Sequence, residues 1–157
     1  MKAKTIYMIV AVIILVVIIL GVWSIMTQKQ PAVIDLNQLN TTISEQTPFH
    51  EMAMMDMTAD TLSTVYDIST EDIEEVVGKM PLMNVHASMY LIVKAKDGKV
   101  NSVKEQIEKI GDSEEQKWEN YLPEQYALVK NRKIGVRGNY IYFIISENAT
   151  DIEKLIK

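Results

Sequence analysis

The sequence predicts an α+β domain behind one transmembrane helix, with a small antiparallel sheet of β-α-β-β-α order packed against helices on one face. Three observations predict this arrangement. An uncharged apolar run occupies residues 6–26, and β-rich segments occupy residues 87–96 and 133–145. Segments with apolar residues three or four positions apart precede, separate and follow these strands, and this is the spacing of amphipathic helices.

The apolar run at residues 6–26 has the length of a transmembrane helix. Its 21 residues extend about 31 Å as a helix, close to the hydrocarbon thickness of a bilayer. Inside lipid every backbone N–H and C=O must bond within the segment, so its many Ile and Val residues do not prevent a helix. We therefore expect a signal anchor here.

Basic residues near the run predict its orientation. Two lysines lie within residues 1–5, and Lys29 is the first basic residue after the run. The positive-inside rule then places the N-terminus in the cytoplasm and the remainder outside the cell. We expect a single-pass protein of the cell membrane, with a tether at residues 27–34 and an extracellular α+β domain at residues 35–157.

A cleaved signal peptide is the alternative interpretation of residues 6–26. The sequence Val22-Trp23-Ser24 offers a cleavage position after Ser24, although it lacks the small pair of an Ala-x-Ala site. The apolar core is also longer than the roughly 7–15 residues usual in signal peptides. The sequence favours the uncleaved anchor, and the intact mass of the membrane-fraction protein distinguishes the two.

Composition limits the classes of partner and chemistry. The chain has a net charge of −5; all 21 acidic residues but 13 of the 16 basic residues follow residue 30, which gives that part a charge of −8. Nucleic acids require clustered Lys and Arg, so they are not expected as partners. Without cysteine the chain offers no lipid-anchor Cys, thiol chemistry or Cys-bound zinc, and no cofactor is expected.

Three helices are predicted before the first strand. Asp35 caps the first, which extends to Gln46, and Thr58 begins the second. Ser69 or Thr70 caps the third, in which acidic residues at 71–75 favour the start of the helix, and Gly78 and Pro81 end it. Its inward side would consist of Ile73, Val76 and Val77.

The second half of the chain predicts a strand, a long helix, a hairpin and a final helix. The long helix spans residues 100–121, with Gly111 as a kink or break and Pro123 at its end. Gly138-Asn139 separates two β-rich runs and predicts a two-residue hairpin turn, which pairs Val136 with Ile141. The final helix begins at residue 150 or 151.

An ordered set of short motifs resembles a known bacterial family. The motifs are Pro48-Phe49 followed by Met52, Tyr66-Asp67-Ile68, residues 93–97, Tyr121-Leu122-Pro123-Glu124 and Gly138-Asn139-Tyr140. In this order they resemble domain of unknown function 4358, found mostly in Firmicutes, from about residue 35 to the C-terminus. The resemblance implies an exported domain tethered to the membrane, in many members as a lipoprotein. It implies no activity.

A methionine-rich segment supports a metal-binding hypothesis. The segment contains His50, Met52, Met54, Met55 and Met57. Thioether and imidazole groups suit Cu(I), and Met is the available soft ligand in a chain without cysteine. The alternative, which the sequence favours, is that these methionines fill irregular gaps in the core as flexible apolar side chains.

One aromatic-rich set is the candidate binding surface. It consists of Trp118, Tyr121, Tyr126, Arg137, Tyr140 and Tyr142. Tyr, Trp and Arg dominate the energetics of binding surfaces, so the set could line a groove for an envelope protein, peptide or glycan. The alternative is that these side chains complete the core between helices and sheet.

Serines and acidic residues are numerous, but none lies in a nucleophile motif such as Gly-x-Ser-x-Gly, so His86 is interpreted as a surface or edge histidine and not as a catalytic base. We therefore expect a non-enzymatic binding module of the bacterial cell envelope. Extracytoplasmic Cu(I) binding through residues 50–57 is the alternative function.

Overall fold

The computed structural model describes residues 34–156 together with Ile14, Val16 and Val17. The chain divides into two compact units, residues 1–32 and residues 33–157. In the first unit, the three described residues are helical and have exposed side chains; the rest of the predicted anchor lies outside the described residues. Within the described part, no helix is long and apolar enough to cross a bilayer.

The second unit is an α+β domain, as predicted. Its helices are α1 (Leu36–Ser44), α2 (Ala59–Tyr66), α3 (Val100–Trp118), α4 (Pro123–Lys130) and α5 (Ala149–Leu155), and a short 3₁₀ turn spans Phe49–Glu51. Its strands are β1 (Met54–Asp56), β2 (Ile73–Pro81), β3 (Met89–Ala95), β4 (Lys133–Arg137) and β5 (Tyr140–Ile145). They form one sheet of order β1-β2-β3-β5-β4 in which every neighbouring pair is antiparallel.

Helices cover both faces of the sheet, so the expectation of helices on one face is wrong. Successive residues of β3 point to opposite faces. Leu91 and Val93 join a core with α2, α3 and α4, whereas Tyr90 and Ile92 join a second core with α1 and α5. All four side chains are fully buried. The expectation failed because Lys94, on the second face of β3, and Lys96, just after the strand, resemble a solvated row.

Residues 73–81 form strand β2, and the prediction of a short helix between the cap at Ser69 or Thr70 and Gly78 is wrong. Ile73 pairs with Ala95 and Glu75 with Lys94, so Glu74 is an extra, bulged residue. A bulge shifts the side-chain alternation by one position. It places Ile73 on the same face as Val76, and both pack on the first core. The resulting three-residue spacing imitates the period of a helix.

Two further predictions about α3 are wrong. The helix continues through Gly111, which is buried beneath the side chain of Arg132: a Cβ at residue 111 would lie 2.5 Å from Arg132 Nε. Glycine therefore permits the close contact with Arg132, and the helix is not broken at this position. Pro123 begins the additional helix α4, at a first-turn position where its missing N–H has no cost.

Local signals gave the right result at the hairpin and at α1. β4 and β5 pair Val136 with Ile141, the predicted register, and Gly138 has the positive φ that the turn requires. Asp35 caps α1 by accepting a hydrogen bond from the Gln38 N–H at 3.0 Å.

We predict that Gly78→Ala destabilises the domain by about 2–3 kcal/mol, the usual cost of an overpacked core. A Cβ at this position of β2 would lie 2.3 Å from the Tyr90 carbonyl oxygen and 2.9 Å from the Leu91 Cα. Urea unfolding of the full chain in non-ionic detergent measures the change, with Trp118 as the fluorophore in a Trp23→Phe background.

Glu75→Ala is the control on the same strand, because the Glu75 side chain is exposed, and its effect should stay below about 0.5 kcal/mol. Equal unfolding midpoints for Gly78→Ala and the control would contradict the close packing of β2 on β3.

Candidate functional site

A cleft of about 640 Å³ lies at the end of the sheet where β3 begins and β5 ends. Four separate segments line it: residues 47–52 before β1, residues 86–88 before β3, α4, and residues 147–148 after β5. Its volume falls within the roughly 300–1,000 Å³ of ligand-binding sites. This is the largest of the described cavities.

Hydrogen bonds hold the walls of the cleft in place. The Ala87 N–H donates to Gln125 Oε1 at 2.8 Å, which fixes α4 against the start of β3. On the opposite wall, the hydroxyl of Ser146 and the side-chain oxygen of Asn148 are 2.5 Å apart, which holds the turn after β5. The lining is therefore supported by regular elements on two sides.

An exposed apolar loop lies beside a small hollow that shares Glu51, Met52 and His86 with the cleft. Leu82, Met83 and Val85, in the connection from β2 to β3, are 61%, 59% and 45% exposed. The Leu82 N–H donates to the Ala53 carbonyl at 3.0 Å, which anchors the start of the loop beside β1. Met83 and His86 also line a smaller hollow of about 120 Å³, and His86 lines the main cleft as well. The loop and the cleft thus form one continuous surface.

The lining of the cleft is acidic and mixed in polarity. Glu51 and Glu147 contribute carboxylates, and no Lys or Arg lines the cleft. Ser88 and His86 both line it, but among the hydrogen bonds of residues 34–156 none joins them. In the same range, no three His, Asp or Glu residues are grouped to hold a metal ion. The arrangement offers recognition chemistry, namely apolar contacts, neutral hydrogen-bonding groups and negative charge.

Comparison with protein families identifies the sequence. Residues 49–146, more than half of the chain, match the model of the Domain of unknown function (DUF4358). The chain belongs to this family. The match confirms the resemblance inferred from the ordered motifs. Neither the curated proteins nor the solved structures contain a match.

The family match covers most of the site and one of the two helix layers. The DUF4358 segment contains the five strands together with α2, α3 and α4, whereas α1 and α5 lie outside it. The apolar loop and most of the cleft lining are within the segment. The second core, in contrast, depends on helices beyond the matched residues.

The side chains of the methionine-rich segment are distributed between the two faces of the sheet. Met52 and Met54 pack on the second core, and Met57 is buried in the first. Met55 is 38% exposed on the edge strand β1, and His50 is exposed with its Nε2 3.6 Å from a Glu51 carboxylate oxygen. The five predicted ligands therefore do not converge on one point. Cu(I) binding by this segment stays a prediction.

The aromatic set is also divided between two faces. Trp118 is fully buried in the first core, Tyr126 packs on that core, and Tyr121 stacks beside Trp118 while it remains 58% exposed. Tyr140 and Tyr142 belong to the second core or pack against it. Arg137, on the edge strand β4, donates to the Ile156 carbonyl at 3.0 Å. The predicted single surface is thus two groups, of which most members complete the cores.

Tyr142 and Arg137 line a second groove, of about 530 Å³, between the β4–β5 hairpin and α5. The Tyr142 hydroxyl donates to a Glu153 carboxylate oxygen, and its ring lies over Gly135, where any Cβ would collide with it. Burial, with the Glu153 hydrogen bond and charge, raises the pKa of Tyr142 to about 12. The tyrosine is therefore a structural contact between the hairpin and α5.

Sequence reasoning missed a buried carboxylate. Glu114 of α3 is 4% exposed and accepts hydrogen bonds from Trp118 Nε1 at 3.0 Å and from the Tyr66 hydroxyl at 3.1 Å. Burial, followed by the charge of Glu114, raises the pKa of Tyr66. Sequence reasoning also missed the apolar loop, for which a signal was present: three apolar residues within Leu82–Val85, directly after Pro81.

We predict that the alkaline instability of the domain decreases in Tyr142→Phe. The fold favours the protonated hydroxyl, so its contribution is complete below pH 10.0, the ordinary tyrosine value, and is lost as pH rises toward about 12. Urea unfolding at a series of pH values from about 9 to about 11.5 measures how steeply the free energy of unfolding falls with pH. This fall should be shallower in the variant.

The other buried tyrosines are unchanged in this comparison, so they contribute equally to both proteins. Tyr121→Phe is the matched control, because Tyr121 lies outside the hairpin and is largely exposed. A slope in Tyr142→Phe as steep as that of the unmodified protein would contradict the assignment.

Proposed function

We propose that the domain is a non-enzymatic binding module that recognises a protein partner through the apolar loop Leu82–Val85 and the adjoining cleft. Residues 6–26 would hold it at the outer face of the bacterial cell membrane. The observation that carries the proposal is the exposure of Leu82, Met83 and Val85 in one loop, in which Met83 lines a hollow that adjoins the polar cleft.

The apolar loop supports binding energetically. Burial of a Leu, Met or Val side chain contributes about 1.5–3 kcal/mol. Contiguous exposed apolar surface beside a pocket is typical of interaction sites, whereas single exposed apolar residues are ordinary. Met83 adds a flexible, polarisable side chain that adapts its shape to a partner. Val65 on α2 is comparably exposed, but it lines neither the cleft nor the hollow that Met83 lines.

The rigidity of the surroundings supports binding as well. The loop joins two paired strands, and the hydrogen bond from Leu82 to Ala53 fixes its first residue. A surface ordered before binding loses less conformational entropy when a partner binds. The loop therefore suits a preformed docking site.

The cleft lies far from Ile34, the first residue of the domain that the structure describes. The Ile34 N–H donates to the Tyr140 hydroxyl at 3.2 Å, at the first residue of β5. The cleft lies beyond the last residue of this strand, about 20 Å away at the rise of a β-strand. A tether that ends at residue 34 thus joins the domain at the other end of β5.

We predict site-dependent cross-linking in cells. A photoreactive benzoylphenylalanine at position 83 should give discrete adducts, because the partner covers the loop, and the same group at position 65 should not. The adducts should disappear when Leu82→Ser and Val85→Ser are added, since these changes remove the apolar contact. Immunoblots of irradiated whole cells report the adducts.

Surface substitutions of this kind should leave the free energy of unfolding, measured in urea, unchanged to within about 0.5 kcal/mol. This check separates lost binding from lost folding. Equal labelling from positions 83 and 65, or adducts that persist after both serine substitutions, would count against the proposed docking surface.

A further inference from the structure

We infer that the segment of the partner that enters the cleft is a basic, extended peptide segment in which Lys or Arg residues flank apolar side chains. This inference rests on the proposed function and adds the chemistry of the ligand. Three features of the cleft support it: the charge of the lining, its apolar residues and its neutral hydrogen-bonding groups.

Charge complementarity favours a cationic ligand. Glu51 and Glu147 line the cleft from different segments, and the lining contains no basic residue apart from His86. Among the ion pairs of residues 34–156, Glu147 takes part in none, and Glu51 has only the 3.6 Å contact with His50. Both carboxylates are therefore available to a ligand, and they repel anionic glycans, phosphates and acidic peptides.

The second groove of the domain provides an internal comparison. Arg137 and Lys154 line that groove, and Lys154 and Glu153 are both engaged by neighbouring side chains. The cleft and the hollow beside it are therefore acidic, whereas the groove at the hairpin is of mixed charge.

Apolar contacts and hydrogen-bonding groups favour a peptide over a simple amine. Met52 and Leu128 line the cleft while they pack on the second and first cores respectively, so they form a fixed apolar floor. Ser88 and Asn148 present neutral hydrogen-bonding groups beside them, which suit the N–H and C=O groups of an extended backbone. Met83 extends the apolar surface onto the rim.

The test uses the full chain in a non-ionic detergent and fluorescence anisotropy of labelled probe peptides. The probes are a peptide of alternating lysine and leucine, its glutamate–leucine counterpart and a lysine–serine peptide. The lysine–leucine probe should bind at least about tenfold more tightly than either of the others, since only it satisfies both the charge and the apolar floor. Binding should weaken as salt rises from about 0.05 M to about 0.3 M.

A charge-matched pair of variants makes the test specific. Glu51→Gln with Glu147→Gln should weaken the lysine–leucine probe by about fivefold. Glu105→Gln with Glu119→Gln changes the net charge equally at exposed positions of α3 and just beyond it, so it should weaken the probe less than about twofold.

Equal affinity for the glutamate–leucine probe overturns the inference, because binding would then not depend on the charge of the ligand. An equal loss of affinity in the two double variants also overturns it, because binding would then follow the overall charge of the protein. The inference can fail while the proposed function survives: cross-links from position 83 that depend on Leu82 and Val85, without any dependence on Glu51 and Glu147, indicate a docking surface for a partner of different chemistry.

Discussion

Strand β3 is buried on both faces and paired along both edges, and the rest of the domain depends on this constraint. Leu91 and Ile92 are neighbours in sequence, point to opposite faces and are both fully buried. Such a strand needs a partner strand on each side and an apolar layer on each face. β2 and β5 are the partners, α2–α4 form one layer, and α1 and α5 form the other. The loops at the ends of the sheet are thereby left as surfaces for recognition.

The second layer links the sheet to the preceding part of the chain. Tyr90 reaches into it from β3, where its hydroxyl donates to Asn40 Oδ1 at 2.8 Å. Burial, with the charge of Asp56 as a smaller cause, raises the pKa of this tyrosine. α1 and α5 lie outside the DUF4358 segment, yet without them Tyr90 and Ile92 would face water. α1 is thus both a core element of this chain and the helix next in sequence to the predicted tether.

Local signals predicted local structure well, and the failures arose where distant segments meet. Gly138-Asn139 fixed the hairpin register because a positive-φ turn between β-rich runs determines its own pairing. At residues 73–77 the bulge in β2 reproduced a helical spacing, which no local rule distinguishes from a helix. The methionine and aromatic sets were divided because the alternation of strands and the sheet between them separate residues that are close in sequence. The cleft escaped prediction because four segments far apart in sequence build it.

Amide hydrogen exchange of the full chain, resolved by residue, tests the central claim that a doubly covered sheet holds an accessible recognition loop at one end. The account predicts that the amides of β3 exchange only through global unfolding, whereas those of residues 83–86 exchange several orders of magnitude faster. Rapid exchange in β3 would contradict the two-layer core. Protection of residues 83–86 equal to that of β3 would show that the loop is part of the packed interior and not a surface for a partner.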